Sequence, residues 1–141
     1  MSIHYLQLAT FKLQSNTAQA MTEAWESVRK RFHSPLYEIR ASIWNSRHFE
    51  PKKFMDVVPE EVDVSTAISF ARQAILALKG NTSLQRGSRK YGTLIFTGKS
   101  GKLEANAVTC PISSLQCIPR FLSQALCREF GDEKIQVSLK A

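Results

Sequence analysis

Hydrophobic positions change their spacing repeatedly along the chain, and each change marks an element. Ile3 to Thr10 is a short apolar run suited to a strand. From Ala18 the period lengthens: Ala18, Met21, Trp25, Val28 and Phe32 recur at steps of three and four, which is one face of a helix. Asn16 stands where it can cap that helix, with Gln19 three residues on as its partner. After Pro35 the pattern over Leu36 to Trp44 alternates, Ile39, Ala41 and Ile43 against Glu38, Arg40 and Ser42. Alternation predicts a strand with the first set buried and the second on a wet or polar face. Asn45 to Pro59 contains two prolines and no clear period, and reads as a long loop.

Val62 to Leu78 is apolar nearly all round through Val64, Ala67, Ile68, Phe70, Ala71, Ala74, Ile75 and Leu78, and a helix here would end at Gly80. Asn81 to Lys90 is a polar, basic turn. Thr93 to Thr97 has the continuous apolar character of a strand buried on both faces. A last helix runs toward Phe130 and closes at Gly131. Pro119 leaves its start open: it begins near Pro111 and kinks, or it begins at Pro119. Ile135 to Leu139 is the final strand. Strands and helices therefore alternate, which predicts an α/β fold, a partial Rossmann-like parallel sheet of about four strands with right-handed crossovers and the strand of Thr93–Thr97 at its centre. The strand near Tyr5 is expected to pair beside that of Ile39–Ile43. No internal repeat or linker divides residues 1–141, so a single domain is expected.

Composition narrows this picture modestly. With 141 residues, 43% hydrophobic, 9% aromatic and 22% charged, the chain can bury a core and does not resemble a disordered segment. No run approaches the ~18 apolar residues that span a bilayer, and the N-terminus lacks a basic n-region and cleavage site. A cytoplasmic protein with no membrane contact is expected. Cys110, Cys117 and Cys127 are odd in number and lack metal-site spacing, so reduced thiols are expected. Asn81-Thr-Ser83 matches a glycosylation sequon but reads as a polar turn. The net charge of +7 is spread over Arg29–Arg31, Lys52–Lys53, Arg86–Lys90 and Lys99–Lys102. These clusters sit at helix ends and turns without RNA-binding aromatics or a helix-turn-helix pattern, which argues against nucleic acid as a partner.

Motif chemistry is sparse. Gly98-Lys99-Ser100 looks like the end of a phosphate-binding loop, yet the glycine that loop needs five positions earlier is Thr93. There is no GxGxxG, HExxH or GxSxG, and His4, His33 and His48 are too scattered to hold a metal. Position is more telling. Ligands of open α/β sheets bind beyond the carboxyl ends of the strands. Asn45, Arg47 and His48 follow one strand, Lys99 and Ser100 follow another, and Asp63 opens the apolar helix. His48, Asp63, Lys99 and Ser100 form a candidate acid/base set, an imidazole, a carboxylate, an amine and a hydroxyl, with Asn45 and Arg47 as substrate contacts.

From about Ser2 to Leu139, order and spacing resemble a short-chain dehydrogenase/reductase entered at its third strand. His4 to Leu8 resembles that strand and Ala18 to Phe32 the helix after it. Ile43-Trp-Asn45-Ser-Arg47 is similar to the fourth strand and its Asn-Asn-Ala-Gly turn, keeping Asn45 and losing the Ala-Gly; Phe54 to Pro59 resembles the loop that follows. Val62-Asp63-Val64 resembles the Val-Asn-Val of the long helix, with Asp63 at the family's catalytic asparagine. Gly92 to Gly98 looks like the fifth strand, which places the catalytic serine near Lys99 with Ser100 one step away. The tyrosine position then falls at Ile112 and the lysine position at Gln116. Phe121 to Phe130 resembles the rest of that helix.

The resemblance implies a truncated scaffold without the nucleotide-binding half. It implies no NAD or NADP cofactor, and no proton donor for carbonyl reduction by this chain alone. Three functions follow as expectations. One is a cofactor-independent enzyme on a small-molecule substrate, an isomerase, cyclase, aldolase or lyase such as secondary metabolism uses. Another is a non-catalytic relative acting by dimerisation. The last is nucleic-acid binding through the basic surface. Family dimers pair the helices corresponding to Val62–Leu78 and the one ending at Phe130, so a homodimer is expected.

Overall fold

A computed structural model of the chain describes residues 9–33, 36–45, 52–58, 64–82, 90–98 and 110–140, without the side chains of 110–116. In chain order these form α1 (Ala18–Arg31), β1 (Ala41–Trp44), a short 3-10 turn (Phe54–Asp56), α2 (Ser65–Lys79), β2 (Gly92–Thr97), α3 (Cys110–Phe130) and β3 (Ile135–Lys140). The strands make one parallel sheet in the order β1-β2-β3, so β2 is central as its apolar character predicts. The strand expected over Ile3 to Thr10, with its pairing beside Ile39–Ile43, lies mostly outside the described residues; Ala9 and Thr10 are not strand.

The sheet has one helix-covered face. In the register, Ser42, Leu94 and Val137 lie side by side, as do Trp44, Phe96 and Leu139. Leu94, Phe96, Ile135 and Val137 are buried beneath α2 and α3 and join Ala71, Ala74, Ile75 and Leu78 of α2 in the core. Burying each large side chain contributes about 1.5–3 kcal/mol. An aromatic column ties in the remaining elements. Phe70 of α2 stands between Trp25 of α1 and Trp44 of β1, with ring centroids 5.7 and 5.2 Å away. Ser69 Oγ donates to the Ala18 carbonyl at 3.1 Å, and the Arg29 guanidinium donates to the Gln73 amide oxygen, so α1 is fixed along α2. The opposite face carries Ala41, Ile43, Thr93, Ile95 and Gln136, and no helix packs on it among the described residues.

This arrangement corrects four sequence expectations. The alternation over Leu36 to Trp44 is real, but its phase is reversed: Ser42 is buried at 6% exposure while Ile43 stands 56% exposed. Register with β2 decides the phase, because Ser42 pairs beside Leu94 under α2. β2 is fully buried on one face and half-buried on the other, not buried on both. α2 is not apolar all round in its packing. One flank meets the sheet, another meets α1, and Val64, Ile68, Arg72, Leu76 and Lys79 form an exposed stripe. The cap of α1 is Thr17, whose Oγ1 accepts from the Ala20 amide at 3.2 Å, and Gln19 turns forward to Glu23 instead of closing a capping box with Asn16. The open question at the last helix resolves toward the long form, with Pro119 inside α3.

Asn81 is a further correction. It is no surface turn residue: it is 7% exposed, and its Nδ2 donates to the carbonyls of Ile39 at 2.7 Å and Tyr91 at 2.9 Å. The end of α2 is thereby pinned to the chain entering both β1 and β2. Gly92 sits at the same junction. A Cβ there would stand 2.4 Å from a Leu78 methyl and 2.9 Å from the Arg40 carbonyl oxygen, so only glycine lets β2 start this close to α2 and β1.

Three substitutions test this packing by urea denaturation. Asn81→Ala leaves the Ile39 carbonyl without its donor, while the Tyr91 carbonyl keeps the Arg40 guanidinium at 3.1 Å, and is expected to lower stability by about 1–3 kcal/mol. Gly92→Ala forces the junction apart and is expected to cost about 1–3 kcal/mol. Ser42 Oγ is buried with no hydrogen-bond partner among the described residues, so Ser42→Ala is expected to be neutral or to stabilise by up to about 1 kcal/mol.

Candidate functional site

Parallel strands end on one edge, and here that edge gathers Asn45, Thr97, Gly98 and Lys140. Two contacts hold it together. Gly98 N–H donates to the Lys140 carbonyl at 2.8 Å, extending the ladder past the last residue of β2. Thr97 Oγ1 lies 3.1 Å from the Trp44 carbonyl and 2.8 Å from Asn45 Oδ1. A threonine hydroxyl has one proton, so it cannot donate to both. The consistent arrangement has Thr97 donating to Trp44 O and the Asn45 amide turned so that its NH2 donates to Thr97.

Of the residues singled out from the sequence, Asn45 is placed at this edge, exposed and bridged to Thr97. Arg47, His48, Asp63, Lys99 and Ser100 lie outside the described residues. The Thr97 bridge was not legible in the sequence; a threonine closing an apolar strand one residue before a glycine is its only signal. Among the described residues no group of three or more His, Cys, Asp or Glu side chains could hold a metal, and no helix is long and apolar enough to cross a membrane. α3, the helix after the central strand, contains neither tyrosine nor lysine anywhere from Cys110 to Phe130.

Two other surfaces stand out. Ile68 and Leu76 on α2 are 49% and 52% exposed, and Phe121 on the adjoining α3 is 66% exposed. Elsewhere a groove of about 470 Å³ runs between α3 and β3, lined by Arg120, Ser123, Gln124, Cys127, Arg128 and residues 137–139.

The sequence matches no family model and no curated protein. Its structure does have counterparts. It is similar to a short chain dehydrogenase from Burkholderia cenocepacia solved with NADP, at a TM-score of 0.67 and 16% identity, covering 88% of this chain and 48% of that one. It is similar to a 3-oxoacyl-[acyl-carrier protein] reductase from Brucella melitensis, at 0.68 and 12%, covering 88% and 50%. A short-chain dehydrogenase from Rhodopseudomonas palustris gives 0.66 and 13%, covering 88% and 55%. The chain thus has the short-chain dehydrogenase fold over most of its residues and spans about half the length of these solved structures.

The edge bridge yields a direct test. Thr97→Val keeps side-chain shape but removes the hydroxyl that joins the Trp44 carbonyl to the Asn45 side chain, and is expected to cost about 0.5–1.5 kcal/mol. Nuclear magnetic resonance should show the Asn45 side-chain amide exchanging faster in the variant, with the core signals of Leu94 and Phe96 unchanged.

Proposed function

We propose that this chain works by association: a short-chain-dehydrogenase-fold subunit that pairs with a second copy through the outer faces of α2 and α3, and does not reduce carbonyls by the tyrosine–lysine chemistry of that fold. The observation that carries the reading is the exposed apolar set Ile68, Leu76 and Phe121 on two adjoining helices. Ile68 and Leu76 are eight residues apart and share one stripe of α2. Covering the exposed half of each would contribute roughly 1 kcal/mol per side chain, and a two-fold pair presents every such contact twice. The chemical half of the reading rests on α3. The positions where the resemblance calls for tyrosine and lysine are Ile112 and Gln116. An aliphatic side chain donates no proton, and a neutral amide cannot lower a neighbour's pKa or hold a ribose by charge.

A second reading is favoured by the Asn45–Thr97 bridge, which fixes two strand ends side by side where open α/β sheets bind ligands. In it the chain is a cofactor-independent enzyme acting on a small molecule, with His48, Asp63, Lys99 and Ser100 as its acid/base groups and Asn45 and Arg47 as substrate contacts. His48→Ala, Asp63→Asn and Lys99→Met would each lower conversion of any substrate found in a metabolite extract, with little loss of stability.

Light scattering decides the primary reading. The wild-type chain is expected to be a dimer at tens of micromolar, and Ile68→Glu or Phe121→Glu a folded monomer with an unchanged circular dichroism spectrum. A monomeric wild-type chain would contradict it.

A further inference from the structure

Among the described residues, β3 is the outer strand of the sheet and is paired on one side only. The Lys134 and Lys140 carbonyls accept from Tyr91 and Gly98, on the β2 side. Backbone groups alternate sides along a strand, so the N–H and C=O of Ile135, Val137 and Leu139 point to the free edge. Such an edge is a template for another strand. The groove lies over it, with Val137 and Leu139 as an apolar floor and Arg120, Gln124 and Arg128 of α3 along its rim. Both arginines are exposed. Neither guanidinium meets a carboxylate among the described residues, and the lining contains no acidic side chain.

The geometry points to this edge as a docking site for an extended acidic segment of another protein, added as a fourth strand beside β3. Main-chain hydrogen bonds to Val137 and Leu139 would supply affinity, and side-chain alternation would supply selectivity. On the incoming strand, residues facing α3 sit under Arg120 and Arg128, where carboxylates are matched. Residues facing the other way lie beside Gln136, Ser138 and Lys140 of β3 on the uncovered sheet face, where uncharged strand-forming side chains such as valine are accommodated. Charge rules out a second copy as the occupant. Two β3 edges paired about a two-fold axis would bring both copies of Arg120 and Arg128 to one seam with no described carboxylate between them.

The test uses the full 141-residue chain, labelled with ¹⁵N, and a capped heptapeptide alternating Val and Glu; about seven residues cover a strand of this length. The expected result is a titration that shifts the Val137 and Leu139 amides and protects them from exchange. Replacing the central residue by proline, which lacks the ladder donor, should weaken binding about tenfold or more. The double charge reversal Arg120→Glu with Arg128→Glu, at exposed positions that leave the fold intact, should weaken it about tenfold and transfer preference to a Val/Lys heptapeptide. Equal binding of the two heptapeptides by the wild-type chain would overturn the proposal. So would binding that leaves the β3 amides unmoved, or no binding at millimolar peptide. Val137 and Leu139 amides already protected without peptide, in a concentration-dependent way, would overturn it in favour of self-pairing.

Discussion

Parallel neighbours cannot be joined by a tight turn. Each step from one strand to the next needs a crossover, and the crossover is right-handed. β1 to β2 and β2 to β3 step in the same direction across the sheet, so α2 and α3 fall on the same side of it. Everything else in the described structure follows. The core is one-sided, built from Leu94, Phe96, Ile135 and Val137 against the inner flank of α2 and the Leu122, Leu126 and Phe130 side of α3. α1 lies along α2, locked by Trp25 on Phe70. The reverse side is left with Ala41, Ile43, Thr93 and Ile95 and no described helix, whereas parallel sheets ordinarily carry helices on both faces.

The same constraint shapes function. Helices gathered on one face turn their outer sides to solvent, and Ile68 and Leu76 of α2 and Phe121 of α3 are exposed there. The solved dehydrogenases that share this fold are about twice as long as the chain, so the likeness establishes an architecture and leaves the reaction to the residues present. Those residues include no tyrosine or lysine on α3. The proposed association rests on the exposed helix surface and requires neither residue.

Much of the fold was legible because periodicity reports burial directly. The three-and-four spacing from Ala18 to Phe32 fixed α1, and the apolar run Thr93–Thr97 fixed the central strand. What periodicity cannot supply is phase. Ile39, Ala41 and Ile43 alternate with polar residues whichever side is buried, and only pairing with β2 shows that Ser42, not Ile43, lies under the helix. Long-range hydrogen bonds were equally invisible. Asn81 looks like any turn residue until the carbonyls of Ile39 and Tyr91, distant in sequence, close on its amide. The candidate site was legible only as a location. The carboxyl edge and Asn45 are where sequence order puts them, but Thr97, which holds Asn45 there, was hidden in the apolar run.

Association through α2 and α3 can be read at single methyl groups. Ile68 and Ile43 are almost equally exposed in one copy of the chain, at 49% and 56%. In a spectrum of isoleucine-methyl-labelled protein, a soluble paramagnetic agent should therefore broaden both alike if the chain acts alone. In a dimer paired through these helices Ile43 is expected to broaden strongly while Ile68 is shielded, and Phe121→Glu is expected to restore broadening at Ile68. Equal broadening of the two in the wild-type chain would contradict that pairing.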